Sequence, residues 1–187
     1  MARKPIDYNA TIIKRIDLAE GLAIFRIRPD AHDLKTFIPG QYIVLGANHA
    51  EKGPVQRSYS IASAPSTLPG YLDFYIRYVQ KPASDNPLTH LLFKMGEGDR
   101  LWMGPKIRGK FTVADECGNA DDPRLRVLVG AGTGLAPFTS MVFDCAEKGG
   151  TPANNHLVLH GASYPHDLGY RDELEALMNT DAARRRY

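Results

Sequence analysis

Cysteine is almost missing from this chain: Cys117 and Cys145 are the only two among 187 residues, far apart and outside any C-x-x-C pair. They offer neither a disulfide framework nor the ligands of an iron–sulfur cluster or a cysteine zinc site. Long apolar runs are missing too. No stretch approaches the roughly 18 residues of a membrane span, and no apolar segment follows the basic start "MARKPIDYNA", so no signal peptide is expected. The net charge is only +2, too small to imply a nucleic-acid partner. The six histidines are scattered, and His156 and His160 bracket "LVL", a strand-like run in which that spacing does not form a helical metal pair. No internal repeat or low-complexity tract is present. What remains is the composition of an ordinary globular protein, 43% hydrophobic and 24% charged, expected in the cytoplasm.

The first two-thirds of the chain reads as β-structure. "YNATIIKRID" and "LAIFRIRP" are β-branched or aromatic runs separated by the turn signal "LAEG". A strand at 42–45 follows Pro39 and Gly40, and "GPVQRSYSIASAP" forms another run. In "GYLDFYIRYVQ", Leu72, Phe74, Ile76 and Tyr78 fall on one face. "DRLWMG" and "GKFTVAD" supply two more strands, and short strands at this spacing suggest a closed antiparallel barrel. One helix interrupts them. "DNPLTHLLFKMGEG" has Asn86 as N-cap, Pro87 at the first helical position and Gly96 as a stop. Its start is either an anion site, formed by free N–H groups with Thr89 in the first turn, or simply a plug for the barrel end; the two are compatible.

Past a short linker, "ADDPR", the pattern becomes strand, glycine turn, helix, strand, helix, the beginning of a parallel sheet covered by helices. The turn is "GAGTGLAP", residues 130–137. Gly132 and Gly134 permit positive φ and close approach to an anion, and the helix start behind them adds about half a positive charge. Pro137 stands where a third glycine would complete the dinucleotide fingerprint, yet proline suits a first helical turn. The turn reads as a phosphate site or as a tight connection only.

Taken in order, "RSYS" at 57–60, "NPLT" at 86–89, "GPKIRGKF" at 104–111 and "GTGLAP" at 132–137 resemble the ferredoxin–NADP reductase superfamily of flavoproteins, bacterial ferredoxin/flavodoxin type. "FIPGQY" and "LGYRDEL" are similar to its flanking segments. The resemblance implies an all-β, six-stranded antiparallel FAD-binding barrel over residues 1–120 and a partial α/β, Rossmann-like NAD(P)-binding domain over 124–187. It implies that Arg57 pairs with the FAD pyrophosphate, with Ser58 in the same motif. Tyr59 would stack on the isoalloxazine and Ser60 would hydrogen-bond near its reactive edge, these two nearest the chemistry. Tyr75 would be an aromatic flavin contact. Asn86, Pro87, Leu88 and Thr89 would bind pyrophosphate. Gly132, Thr133, Gly134 and Pro137 would shape the site for NADP(H) or NAD(H). Without the resemblance, Arg57 reads equally as a surface ion pair and Tyr59 as barrel core. No metal site is implied.

The implied activity is electron transfer between NAD(P)H and a one-electron carrier, ferredoxin or flavodoxin, with Lys106, Arg108 and Lys110 as a basic docking face. The alternatives are the reductase component of an oxygenase, another electron-transfer subunit of the superfamily, or a fragment that holds FAD without turnover. Two departures stand out. The family continues past the position of Tyr187, so the chain is expected to be a C-terminally truncated piece of a longer reductase. Ser163 stands where many NADP-preferring relatives place an arginine, which leaves the nucleotide preference open unless Arg171 or the arginines at 184–186 substitute.

Overall fold

A two-residue turn at Glu20 and Gly21 sets the first strand pairing, with Gly21 in the left-handed region at φ 68°. It joins β1 (Ala10–Ala19) to β2 (Leu22–Pro29), which pair antiparallel from Ala10 opposite Pro29 to Ala19 opposite Leu22. The computed structural model describes residues 4–31, 37–65, 70–82, 84–113, 124–149 and 156–178. Within them β3 (Tyr42–His49), β4 (Gly53–Ser60), β5 (Leu72–Arg77) and β6 (Arg100–Met103) complete a six-stranded antiparallel sheet in the order β4-β3-β6-β1-β2-β5. The short β6 bonds to β1 on one side and β3 on the other, which lets the sheet curl. Ile12, Phe25, Ile27, Ile43, Leu45, Phe74 and Leu101 fill the interior without exposure.

The edge strands β4 and β5 approach each other without a hydrogen-bonded ladder, so the expected barrel closes by side chains and a loop. The Asn86 amide, at the end of the loop between β5 and the helix that follows, donates to the Gln56 carbonyl and occupies part of the β4 edge. Helix α1 (Leu88–Leu92) follows and buries Leu88 and Leu92, four residues apart on one face, as a plug. It is shorter than the sequence pattern suggests and begins one residue later. The Arg15 guanidinium donates to the carbonyls of Phe93 (3.0 Å) and Met95 (2.9 Å), and the Asp99 carboxylate accepts from Gly96 N–H, so side chains replace the next helical bonds. The strand expected at "GKFTVAD" is not formed in its described residues. Gly109 at φ 117° turns the backbone away, leaving a single bridge between Tyr42 and Arg108.

The second part is β7 (Arg126–Ala131), a 3₁₀ turn (Gly132–Leu135), α2 (Ala136–Glu147), β8 (His156–Gly161), a second 3₁₀ turn (Pro165–Asp167) and α3 (Arg171–Met178). Strands β7 and β8 are parallel, Arg126 opposite His156 through Ala131 opposite Gly161, which realises the expected β-α-β-α order. Cys145 is a free, half-buried thiol. Cys117, most of the linker at 120–124 and the arginines at 184–186 lie outside the described residues.

Gly40 carries a consequence for stability. Its φ is 99°, and a Cβ there would sit 1.9 Å from the Phe111 carbonyl oxygen. Gly40→Ala is expected to cost about 3 kcal/mol and lower the melting temperature by roughly 10 °C in calorimetry. An unchanged melting temperature would show that the segment carrying Phe111 does not pack there.

Candidate functional site

Alternation along β4 builds the first wall of the site. Val55 is buried and Arg57 and Tyr59 are half-buried on one face, while Gln56 and Ser58 are exposed on the other; Ser60, at the strand end, is half-buried. The Arg57 guanidinium donates from Nη2 to Ser84 Oγ at 2.6 Å, but its Nε is sealed from solvent with no partner among the described residues. The Tyr59 hydroxyl is sealed and partnerless in the same way. Its ring packs against the barrel core. Burial pushes the phenol up to about 12, with Arg57 pulling weakly in the opposite direction. Ser58 points away from this pair.

The facing loop is laced to β4. Besides donating to Gln56, Asn86 uses its side-chain oxygen to accept from Leu88 N–H at 3.0 Å, a cap-like bond just ahead of α1. Pro87 and Leu88 are buried beneath it. The Thr89 hydroxyl turns inward and accepts from Val79 N–H at 3.2 Å, so at this loop Thr89 presents backbone to the site. The Lys52 ammonium donates to the Asp85 carboxylate and holds its pKa below the usual value.

The glycine turn is brought to the same region by two hydroxyls on α2. Thr139 Oγ1 shares its proton between the Ala136 carbonyl of its own helix at 2.8 Å and the Ala62 carbonyl at 3.1 Å, and Ser140 Oγ donates to the Ser63 carbonyl at 2.7 Å; Ala62 and Ser63 lie two and three residues past Ser60. Both side chains are fully buried. The turn thus starts from a helix fastened to the continuation of the "RSYS" strand. Gly132 adopts φ 51°, and a Cβ at Gly132 or Gly134 would enter open space, which leaves room beside the turn. Thr133 is half-buried, and Pro137 lies in the first turn of α2. Gly130 is needed for a different reason: a Cβ there would lie 3.1 Å from Leu135 N. His160 Nε2 bonds to the Gly132 carbonyl at 3.0 Å and steadies the turn from β8.

Tyr75 occupies a different position from the one the sequence suggests. Its ring is buried against Tyr170 in an edge-to-face contact at 5.5 Å. Its hydroxyl donates to the Asp167 carbonyl and accepts from Gly169 N–H, each at 3.1 Å, and Arg77 pairs with the Asp167 carboxylate at 2.9 Å. With both hydrogen-bonding roles used between the two sheets, Tyr75 joins them. Ser84, Thr139, Ser140 and Asp167 support the site without a motif to flag them, whereas Gly130 opens the glycine turn already singled out in the sequence. The only trace of the α2 hydroxyls in the sequence is an adjacent polar pair, "TS", inside an apolar helix.

Residues 9–111 match the oxidoreductase FAD-binding domain family and residues 128–187 the oxidoreductase NAD-binding domain family. The chain is 32% identical over 169 residues to the toluate 1,2-dioxygenase electron transfer component of Pseudomonas putida, covering 90% of this chain and 45% of that protein. It is 29% identical over 136 residues to a ferredoxin–NADP reductase of Pseudomonas aeruginosa, covering 73% and 48%. The crystal structure of a ferredoxin NADP⁺ reductase from Neisseria gonorrhoeae with bound FAD and NADP superposes with a TM-score of 0.72 at 25% identity, covering 90% of this chain and 62% of that one. The chain spans about half the length of the two sequence relatives.

Two outcomes follow from this geometry. In a spectrophotometric titration the Tyr59 phenol is expected to ionise near pH 12 instead of 10, and Tyr59→Phe removes that component. Because the folded value is raised, Tyr59 contributes stability that is full below pH 10 and is lost as the pH rises to about 12. Ser140→Ala is expected to cost about 1–3 kcal/mol in denaturant unfolding, since the buried Ser63 carbonyl loses its donor; no change would mean that the seam is not formed.

Proposed function

The chain belongs to the ferredoxin–NADP reductase superfamily of FAD-binding oxidoreductases, and from that premise we propose that it binds FAD and carries electrons between NAD(P)H and a one-electron carrier. The observation that carries this reading is the pair of sealed, partnerless groups on β4, Arg57 Nε and the Tyr59 hydroxyl. Buried polar groups left unpaired cost roughly 1–3 kcal/mol each, so a site that strands two of them side by side fits a ligand that completes them. A guanidinium with a free edge fits a diphosphate, and an aromatic ring with a polar tip fits the rim of a fused ring system.

In this reading Arg57 takes the pyrophosphate, joined by backbone N–H groups of the loop holding Asn86, Pro87, Leu88 and Thr89. Tyr59 stacks against the isoalloxazine, and Ser60 hydrogen-bonds near its reactive edge. Gly132, Thr133, Gly134 and Pro137 leave backbone and space for the nicotinamide dinucleotide. When bound, FAD supplies the redox chemistry, exchanging a hydride with nicotinamide and single electrons with the carrier. The chain's own part is to orient the two ring systems, hold the phosphates and keep water from the meeting point; no protein acid, base or nucleophile is required. Residues 1–120 form the flavin unit and 124–187 the nucleotide unit.

The carrier is a ferredoxin or flavodoxin. Lys106, Arg108 and Lys110, all exposed, are a suitable docking face for its acidic surface. A second reading, the reductase component of an oxygenase, is favoured by the match to the toluate dioxygenase component, which takes in 90% of this chain and 45% of that protein. Among the described residues no helix is long and apolar enough to cross a membrane, and the cytoplasm, where reduced nicotinamide nucleotides are held, is the proposed compartment.

The test is a fluorescence titration with FAD. Wild-type protein is expected to bind it, and Arg57→Gln to weaken binding about tenfold to a hundredfold, the range for a hydrogen bond to a charged group. Anaerobic addition of NADPH or NADH should then bleach the flavin, and the faster nucleotide reports what Ser163 selects. Flavin binding that neither nucleotide bleaches would reduce the reading to a flavin-holding fragment. No affinity for FAD would overturn it.

A further inference from the structure

Three consecutive loop residues are tied to β4 and the turn before it. Ser84 Oγ accepts from Arg57 Nη2 at 2.6 Å, the Asp85 carboxylate and carbonyl accept from Lys52 Nζ at 2.5 and 2.9 Å, and Asn86 Nδ2 donates to the Gln56 carbonyl at 2.9 Å. Asp85 sits at φ 49°, in the left-handed region that aspartate adopts more readily than most side-chain-bearing residues. Local preference and these contacts together give the loop its shape.

The charges around Arg57 differ from those around four other arginines of the sheet, while Arg28, exposed on β2, shares with Arg57 the lack of a carboxylate partner among the described residues. Arg15, Arg26, Arg77 and Arg100 each pair with a carboxylate, those of Asp17, Asp73, Asp167 and Asp30. Arg57 has no such partner among the described residues; its fixed contact is a neutral hydroxyl. The carboxylate next in sequence to that hydroxyl, Asp85, is taken by Lys52. Ser84 therefore restrains one nitrogen of the guanidinium without cancelling its charge, and Lys52 keeps the adjacent acid occupied.

We propose that Ser84 and the Lys52–Asp85 pair are positioning residues that keep Arg57 aimed and un-neutralised for the phosphates of a dinucleotide flavin. The proposal rests on the FAD reading above and adds residues outside the "RSYS" and "NPLT" segments. Its mark is selectivity for the phosphate part of the ligand. A loop that merely supported the fold would affect any flavin equally.

The experiment compares FAD with riboflavin, which has no phosphate, on the full chain by fluorescence quenching, with melting of the flavin-free variants as a fold control. Ser84→Ala is expected to weaken FAD about tenfold and riboflavin by less than about twofold, while Ser84→Thr keeps FAD affinity. In an Arg57→Gln background Ser84→Ala should add no further loss. Lys52→Met, which frees Asp85 to compete for Arg57, should weaken FAD selectively, and adding Asp85→Asn should restore it. This pair also tests the proposal if Ser84→Ala proves unstable. Equal losses for FAD and riboflavin, additivity with Arg57→Gln, or no recovery with Asp85→Asn would each overturn it. Normal FAD binding by Ser84→Ala would overturn this inference alone, whereas a wild-type protein that binds neither flavin would overturn the FAD reading as well.

Discussion

Two hydroxyl groups on one helix hold the candidate site together. Thr139 and Ser140 donate to the carbonyls of Ala62 and Ser63, in a stretch of chain that has just left β4 and has no ladder partner for them. Backbone carbonyls buried without donors are costly, so the segment after the "RSYS" strand and the helix after the glycine turn satisfy each other. Leu135 and Ala136 pack with Leu22, Ile24, Ala62 and Tyr75 in the same seam. Asp73, Ser63 and Ser140 form a continuous chain of bonds, since Ser63 Oγ accepts from Asp73 N–H while its carbonyl receives Ser140. This fastening is one of the contacts that place Tyr59 relative to Thr133.

A second fastening belongs to the same seam. Tyr75, Arg77 and Asp167 link β5 to the short 3₁₀ turn before α3, with Tyr170 completing an aromatic cluster of Tyr75 and Phe143. Tyr170 is held at φ 61° with its hydroxyl buried and unpaired among the described residues. Burial raises that phenol far above its ordinary value, so it stays neutral. Its ring, wedged between the two parts, is what this strained backbone secures. The two fastenings share one packed cluster, in which Ala62, Leu135 and Ala136 lie with Tyr75 and Tyr170.

Much of this organisation is legible from residue pattern. Alternation in β4, the i,i+4 leucines of α1 and the strand–glycine–helix order of the second part all follow from short-range periodicity. Local signals misread the places where a side chain distant in sequence intervenes. Arg15 removes the carbonyls that would have extended α1, across about eighty residues of chain. Gly109 breaks a run that composition alone reads as a strand. Tyr75 has the sequence context of a ligand contact, but a turn almost a hundred residues later claims both roles of its hydroxyl.

The sequence by itself determined the chemistry on offer: an arginine and a tyrosine on one face of a strand, a loop opening a short helix, and glycines at a strand–helix turn. Residue type and period are local properties, and local properties survive in a one-dimensional reading. Only the tertiary structure decided which of these groups meet and which are spent on the fold. That decision rests on satisfying buried polar atoms, a condition set by whichever partners the fold brings within hydrogen-bond reach. Tyr75 was satisfied by the seam, while Arg57 was left with a serine and a free edge.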